Sequence, residues 1–287
     1  GLEDVRFFAE AGWAAEPAEA WTALFRRRSG WTGCDGIYSI AADGREIRGE
    51  GGSGQTLFLF GDTFIGEVDP ATGRRRSMEM INNSMALLDG AEPDETRIRF
   101  LWNRADPASP RSAVEPATPA ARAVEGSYYW LQDGAVVGGM FYCFPMIVGP
   151  NPDGPEGFQF ALHGVTVCRA PMTPDGPDLG RLEQFDAAPL FGRTSAGHLA
   201  YYGAAVLPLT AEAGVPEPDG YVYVYGLLHD GQHRPIAARV LPEHLADASR
   251  WTFWDGAGWS RRAADAAPIA EETSPEYSIH PMQGGPH

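Results

Sequence analysis

No apolar run in the chain approaches the roughly 20 residues that a membrane helix needs, and the N-terminus has no basic segment followed by an apolar one. A helical membrane span is therefore excluded, and a secretory signal, if the protein is exported, has been removed from this sequence. Basic residues are scarce, 22 against 38 acidic ones, for a net charge of −16 and a pI near 4.8. The basic residues are scattered apart from the triplets Arg26 to Arg28 and Arg74 to Arg76, so the acidic chain repels phosphate backbones and nucleic acid is not an expected partner. Cysteine is scarce too. Cys34, Cys143 and Cys168 lack metal-ligand spacing, and their odd number excludes a fully paired disulfide framework. Cys143 and Cys168 fall in neighbouring strand-like segments and are expected as free buried thiols. Cys34 has no identifiable His partner and reads as a structural thiol. A Gly-x-Ser-x-Gly elbow is missing, as is a Gly-rich loop followed by Lys-Ser or Lys-Thr, which argues against a serine hydrolase and a nucleotide site. His163, His229, His233 and His280 share no spacing of the kind that zinc requires. No cofactor or metal is expected, although a structural calcium in a central channel could be held by Asp and backbone oxygens.

What the chain does have is glycine (35), proline (24), tryptophan (8) and tyrosine (10), with 44% hydrophobic and only 21% charged residues. That balance favours many short strands joined by long loops, an all-β fold with a sizeable core. Residues 1–30 read as a lead-in segment with one short helix near 17–26, and the strand pattern occupies 31–287. Strands are predicted around Tyr38, at 57–60, 82–88 and 98–102. A second round follows at 140–144, 158–162, 165–169 and towards Phe185, and a third at 202–207, 221–225, 236–240 and 251–254. A fourth round starts at 274–279. A four-strand unit recurring every 65 to 75 residues is the sequence mark of a β-propeller, whose blades bury their faces only by stacking on one another. A pair of β-sandwiches is the alternative fold. Three blades and the start of a fourth are too few to close a ring, so a C-terminal fragment or a second chain is expected to complete the propeller.

Two of the strands carry a carboxylate at a glycine-marked end. Asp35 precedes Gly36 at the mouth of Ile37 to Ile40, and Asp62 follows Gly61 directly after Leu57, Phe58, Leu59 and Phe60. An antiparallel hairpin around the Gly-rich turn at 49–54 would bring both acids to one end of the sheet, framed by Trp31, Tyr38, Phe60 and Phe64. Asp-Gly is also the commonest turn dipeptide, and Asp43-Gly44, Asp89-Gly90, Asp133-Gly134, Asp219-Gly220, Asp230-Gly231 and Asp255-Gly256 are read as turns. Two carboxylates with diverging proton affinities are what glycosidic hydrolysis requires. Asp62, following an apolar strand, is expected as the acid, and Asp35, in an open turn, as nucleophile or base. Asn82, Asn83, His198 and Tyr202 are candidate substrate-binding residues beside Trp31 and Tyr38, because amides hydrogen-bond sugar hydroxyls and aromatic faces stack on sugar rings.

The segments Trp31-Thr-Gly-x-Asp35-Gly-x-Tyr38-Ser, Leu-Phe-Leu-Phe-Gly61-Asp62-Thr63, Asn82-Asn83-Ser84, Tyr202-Gly203-Ala-Ala-Val-Leu, Tyr221-Val-Tyr-Val-Tyr225-Gly and Trp254-Asp255-Gly256-x-Gly-Trp259 resemble a bacterial set of five-bladed propellers. Its members were long grouped as domains of unknown function, and part of the set is classed with glycoside hydrolases acting on furanosides, notably endo-D-arabinanases. The resemblance covers most of residues 30–280. It implies a secreted or cell-envelope glycoside hydrolase with Asp35 and Asp62 as the two family carboxylates and Glu276, in Ser-Pro-Glu-Tyr-Ser, as a further acid. Arabinan is the leading polysaccharide substrate and fructan the second. The insertion at 46–53 and the absence of a fifth blade depart from the family pattern. A non-catalytic carbohydrate-binding or scaffold propeller is the contrasting expectation. A sugar lyase using Tyr202 and His198 is a third, disfavoured by an acidic funnel that would repel uronates.

Overall fold

The computed structural model describes residues 16–46, 54–106 and 109–281. The first part of the expected lead-in, residues 49–53 of the Gly-rich turn, nearly all of the 46–53 insertion and the 282–287 tail lie outside the described residues. The chain is mostly β-sheet with few helices. The first element among the described residues is α1 (Glu19–Leu24), inside the expected helical stretch. There follow β1 (Ser29–Cys34), β2 (Ile37–Ala41), β3 (Gln55–Phe60), β4 (Thr63–Val68), β5 (Arg75–Ile81), β6 (Ser84–Asp89) and β7 (Ile98–Leu101). Strands β2, β3, β6 and β7 form one antiparallel sheet in that order, while β1, β4 and β5 form a smaller one beside it.

The second third contains α2 (Pro119–Arg122), β8 (Tyr128–Trp130), β9 (Gly134–Val137), β10 (Met140–Cys143), β11 (Met146–Pro150), β12 (Phe160–Thr173), β13 (Gly176–Pro177) and β14 (Glu183–Asp186). The long β12 serves two neighbourhoods. Its first half pairs with β11, which pairs with β8, and its second half lies between β10 and β14, with β9 next to β10. The segments 158–162 and 165–169, expected as separate strands, are thus largely one. The last third has β15 (Phe191–Arg193), β16 (Leu199–Leu209), β17 (Tyr221–His229), β18 (His233–Val240), β19 (Thr252–Trp254) and β20 (Trp259–Ser260), neighbours in chain order. Residues 274–279, expected to begin a fourth round of strands, form no strand.

The packing explains the apolar runs. Along β3, Leu57 and Leu59 enter one core with Tyr38, Leu87, Phe141 and Cys168, while Phe58 and Phe60 enter another with Trp31, Ala86 and Phe100. Strand residues alternate between faces, so an unbroken run such as Leu-Phe-Leu-Phe means a sheet buried on both sides. The second sheet behaves alike: Phe141 and Cys143 face the first sheet, and Tyr142 and Phe144 face the third, whose Val222, Val224 and Trp251 complete that core. Three successive antiparallel sheets are therefore stacked face to face, and β9 lies against both β2 and β16. Cys143 and Cys168 are cross-strand partners on β10 and β12 and both are free thiols, as expected.

Candidate active site

The hairpin expected between the two aspartates is present: β2 pairs with β3 in the register Ile37 to Phe60. Beyond that pair the chain continues the ladder for one more step. Asp35 donates its backbone N–H to the Asp62 carbonyl at 2.7 Å, and Gly61 donates to the Asp35 carbonyl at 2.8 Å. The next pair along, Cys34 with Thr63, already belongs to β1 and β4. Asp35 and Asp62 therefore occupy the corner where two paired strands pass from one sheet to the other. Gly36 makes the corner possible with φ of +58°, a left-handed conformation costly for other residues. Buried hydroxyls lock it from beneath. Thr63 Oγ1 donates to the Gly61 carbonyl at 2.8 Å, lies 2.8 Å from Ser84 Oγ, and Ser84 Oγ accepts from Trp31 Nε1 at 3.1 Å.

Asp35 is exposed and accepts the Gly36 N–H at 2.9 Å on its own Oδ1. Asp62 is half-buried. Its Oδ1 accepts from Trp130 Nε1 at 2.8 Å and from Asn82 Nδ2 at 3.3 Å, so this oxygen is committed as an acceptor from two directions. Glu276 arrives from the segment after β20. Its Oε1 stands 3.3 Å from the position a Cβ on Gly36 would take, so any larger residue at 36 would crowd it. Burial, followed by the negative charge of Asp35, raises the Glu276 carboxyl above its ordinary range. Tyr277 secures this segment by donating its hydroxyl to the Gly226 carbonyl at 2.8 Å.

Beside this corner lies a cavity of about 300 Å³ lined by Tyr38, Ser39, Asp133, Glu276, Tyr277 and His280, among others; of the three predicted acids only Glu276 lines it. The Tyr38 hydroxyl is pushed far up by burial and then by the charges of Glu276 and Asp133, and the Tyr201 hydroxyl is raised to about 12 by burial and then by Glu276. These tyrosines are therefore neutral hydrogen-bonding groups facing carboxylates. A neighbouring cavity of about 440 Å³ shares Ser39, Asp133 and His280 and adds Arg45 and Glu46. Two larger depressions, of about 790 and 710 Å³, include none of these carboxylates.

Asp133, read from the sequence as a turn residue, is a buried member of this cluster. Its Oδ2 accepts the Val206 N–H at 2.8 Å. Burial raises its carboxyl to about 7 against the pull of the Gly134 and Val206 N–H groups, and Glu46 adds to the rise. No local signal in the sequence separates this Asp-Gly from the others; only its place between neighbouring sheets does.

The structure takes three candidates out of substrate contact. Trp31 is 2% exposed and stacks on Phe100 at 4.4 Å between centroids, so it is a core residue. Asn83 is fully buried and spends its amide on Val114 and Tyr129 backbone groups. Tyr202 is 1% exposed and packs against Phe253. Asn82 is retained as a holder of Asp62, and Tyr38 lines the cavity. His198 is half-buried in the turn between β15 and β16 and lines neither of these two cavities. Burial and then Asp35 push the Cys34 thiol up to about 12, which suits the structural role expected for it. Among the described residues no group of three or more His, Cys, Asp or Glu side chains is placed to hold a metal ion.

Fold and site together define a mostly β protein with carboxylates converging on a two-strand corner. The chain belongs to the family described as domain of unknown function DUF5005, which matches residues 18–285. Its fold is similar to that of a crystal structure described as a "putative hydrolase" from Bacteroides ovatus ATCC 8483. The TM-score is 0.58 with 18% sequence identity, over 85% of this chain and 58% of that one. The chain thus spans a little over half the length of that protein. No functionally curated protein matches it.

Proposed function

We propose that the protein is a glycoside hydrolase acting on furanosidic polysaccharide, arabinan first and fructan second, on a propeller of which the three stacked sheets are consecutive blades. The observation that carries the proposal is the meeting of Asp35 and Glu276 at the Gly36 corner, with Asp62 tied to the same corner through its backbone. A hydrolase of this type needs one carboxyl that holds its proton and one that stays ionised. Glu276, raised by burial and by Asp35, takes the acid role that the sequence alone suggested for Asp62, and protonates the leaving glycosidic oxygen. Asp35, exposed at the corner beside the cavity, attacks the anomeric carbon or activates the water that does. Asp62, held on one oxygen by Trp130 and Asn82, orients the sugar. Tyr38 lines the pocket in which the ring would lie. The similarity in fold to the Bacteroides ovatus protein described as a "putative hydrolase" and the resemblance of the Asp35 and Asp62 segments to furanosidase propellers support the same reading.

Reducing-sugar release from arabinan and fructan should fall by about 10²- to 10⁴-fold in Glu276→Gln and Asp35→Asn, the range typical of a lost acid or base. Thermal unfolding should show both variants folded. Near wild-type turnover in either folded variant would remove that residue from the mechanism, and a wild type inactive on both polymers would favour a carbohydrate-binding role.

A further inference from the structure

The carboxylate corner does not account for a row of aromatic rings that begins at Asp62 and leads away from it. Trp130, on β8, donates its Nε1 to Asp62, and its ring packs edge-on against Phe160 at 4.8 Å between centroids. Phe160 is in turn 6.1 Å from Phe158, and on the other side Tyr128 is 5.8 Å from Trp130. The Tyr128 hydroxyl is raised by burial and then by Asp62, which places this end of the row beside the carboxylate. Tyr128, Trp130 and Phe160 are half-buried, but Phe158 is 65% exposed, the most open large apolar side chain described.

Phe158 is held out by a built loop. Asn151 donates its N–H to the Gln159 carbonyl at 2.9 Å, Gly154 to Asn151 at 2.9 Å, and Phe158 to Pro155 at 2.8 Å. The loop therefore closes on itself and presents the ring at its end, continuous through Phe160 and Trp130 with the catalytic corner.

We propose that Trp130, Phe160 and Phe158 form a line of binding subsites for successive sugar rings of a polysaccharide, so that the protein grips a chain beyond the residue at the carboxylates. The inference rests on the glycosidase reading for the identity of the occupant. Its physical basis is that apolar faces of sugar rings stack on aromatic side chains, and that centroid steps of 4.8 to 6.1 Å give neighbouring rings of one chain neighbouring partners. An acidic protein offers such a neutral chain no charge attraction, so contact area of this kind has to supply the hold.

The test uses native-gel retardation in arabinan, fructan or xylan, with Asp35→Asn as the background so that no chain is cut. Phe158→Ala and Phe160→Ala should each weaken retardation in the retarding polymer by roughly three- to tenfold, the amount one aromatic contact contributes. Phe158→Tyr should restore it, and Ile269→Ala, an exposed apolar residue elsewhere, should match the background protein. Phe158 is exposed, so its replacement does not threaten folding. Retardation unchanged within about twofold in both alanine variants, or no retardation in any of the three polymers, overturns the proposal. A wild type that cuts none of the polymers, while the alanine variants still lose retardation, would sink the hydrolase reading and leave the subsites standing.

Discussion

The Asp62 side chain shows how much one hydrogen-bond donor can decide. Its Oδ1 accepts from Trp130 and Asn82, and a bond from an N–H to a charged acceptor in a partly buried site contributes more than one between neutral groups. Trp130→Phe keeps a ring against Phe160 but removes Nε1. Under the proposed hydrolase function, turnover should fall by about tenfold in kcat as Asp62 loses its orientation, with unfolding temperature nearly unchanged. Steady-state kinetics on arabinan checks this; a variant with wild-type kcat would mean that Asn82 alone sets the carboxylate. At this scale the sequence revealed the acids that a backbone signal marks. Asp35 and Asp62 stand beside glycines at the ends of strands that pair, and pairing alone brings them together. Asp133 has the same Asp-Gly signature as surface turns, and its burial depends on β9 being packed between β2 and β16. Trp31, Asn83 and Tyr202 have the chemistry of sugar contacts, yet their side chains point into cores, a choice of face that residue type does not encode.

At the scale of elements, the position of Glu276 depends on a break in β16. The pairing of β16 with β17 shifts register between Tyr202 and Ala205, a β-bulge that bends the strand. At this bulge Gly226 of β17 is so close to β16 that an added Cβ would overlap the Tyr201 carbonyl oxygen and come within 2.7 Å of the Tyr202 Cα. The Gly226 carbonyl is also the acceptor for Tyr277, the neighbour of Glu276. Gly226→Ala should therefore cost about 2–3 kcal/mol of stability, because the obstruction is backbone and cannot swing aside, and should lower the unfolding temperature by roughly 5–10 °C. Calorimetry settles it, and a shift under about 1 °C would show that the bulge yields. The strands themselves were largely readable, because sheets buried on both faces leave unbroken apolar runs. The β4–β5 hairpin was not, since all of β5 but Ile81 is exposed and carries Arg75, Arg76, Ser77 and Glu79, a pattern with no buried face to mark it. The β8–β11 pairing was missed because β8 is only three residues long and its partner lies beyond two intervening strands.

For the molecule as a whole, the consequence of stacking sheets around shared carboxylates is a stability that depends on pH in an unusual direction. Burial raises Asp133 from an ordinary 3.8 to about 7, and burial likewise raises Glu46 from 4.5 to about 7. Below about pH 4 folded and unfolded chains both hold these protons, and the groups contribute no slope. Between about pH 4 and 7 the unfolded chain has released them while the folded protein keeps them, so unfolding releases protons and stability falls as pH rises. Asp94, Asp247 and Asp255 shift the other way, lowered mainly by hydrogen bonds within their own turns, but they lie at the surface and act only at more acidic pH. The unfolding temperature should therefore be highest near pH 4–5 and decline by roughly 5–9 °C per pH unit towards pH 7. The net charge of −16 also grows more negative over this range and pushes in the same direction, so the wild-type slope alone is not diagnostic. Asp133→Asn separates the two effects. The amide oxygen can still accept the Val206 N–H, the side chain no longer titrates, and the overall charge changes by only one. Its decline between pH 5 and 7 should be shallower than that of the wild type by roughly 2–4 °C per pH unit, the part that Asp133 contributes. Parallel curves for the two proteins would assign the whole slope to surface repulsion, and a wild-type unfolding temperature that rises over this interval would mean that Asp133 and Glu46 are ionised in the folded protein.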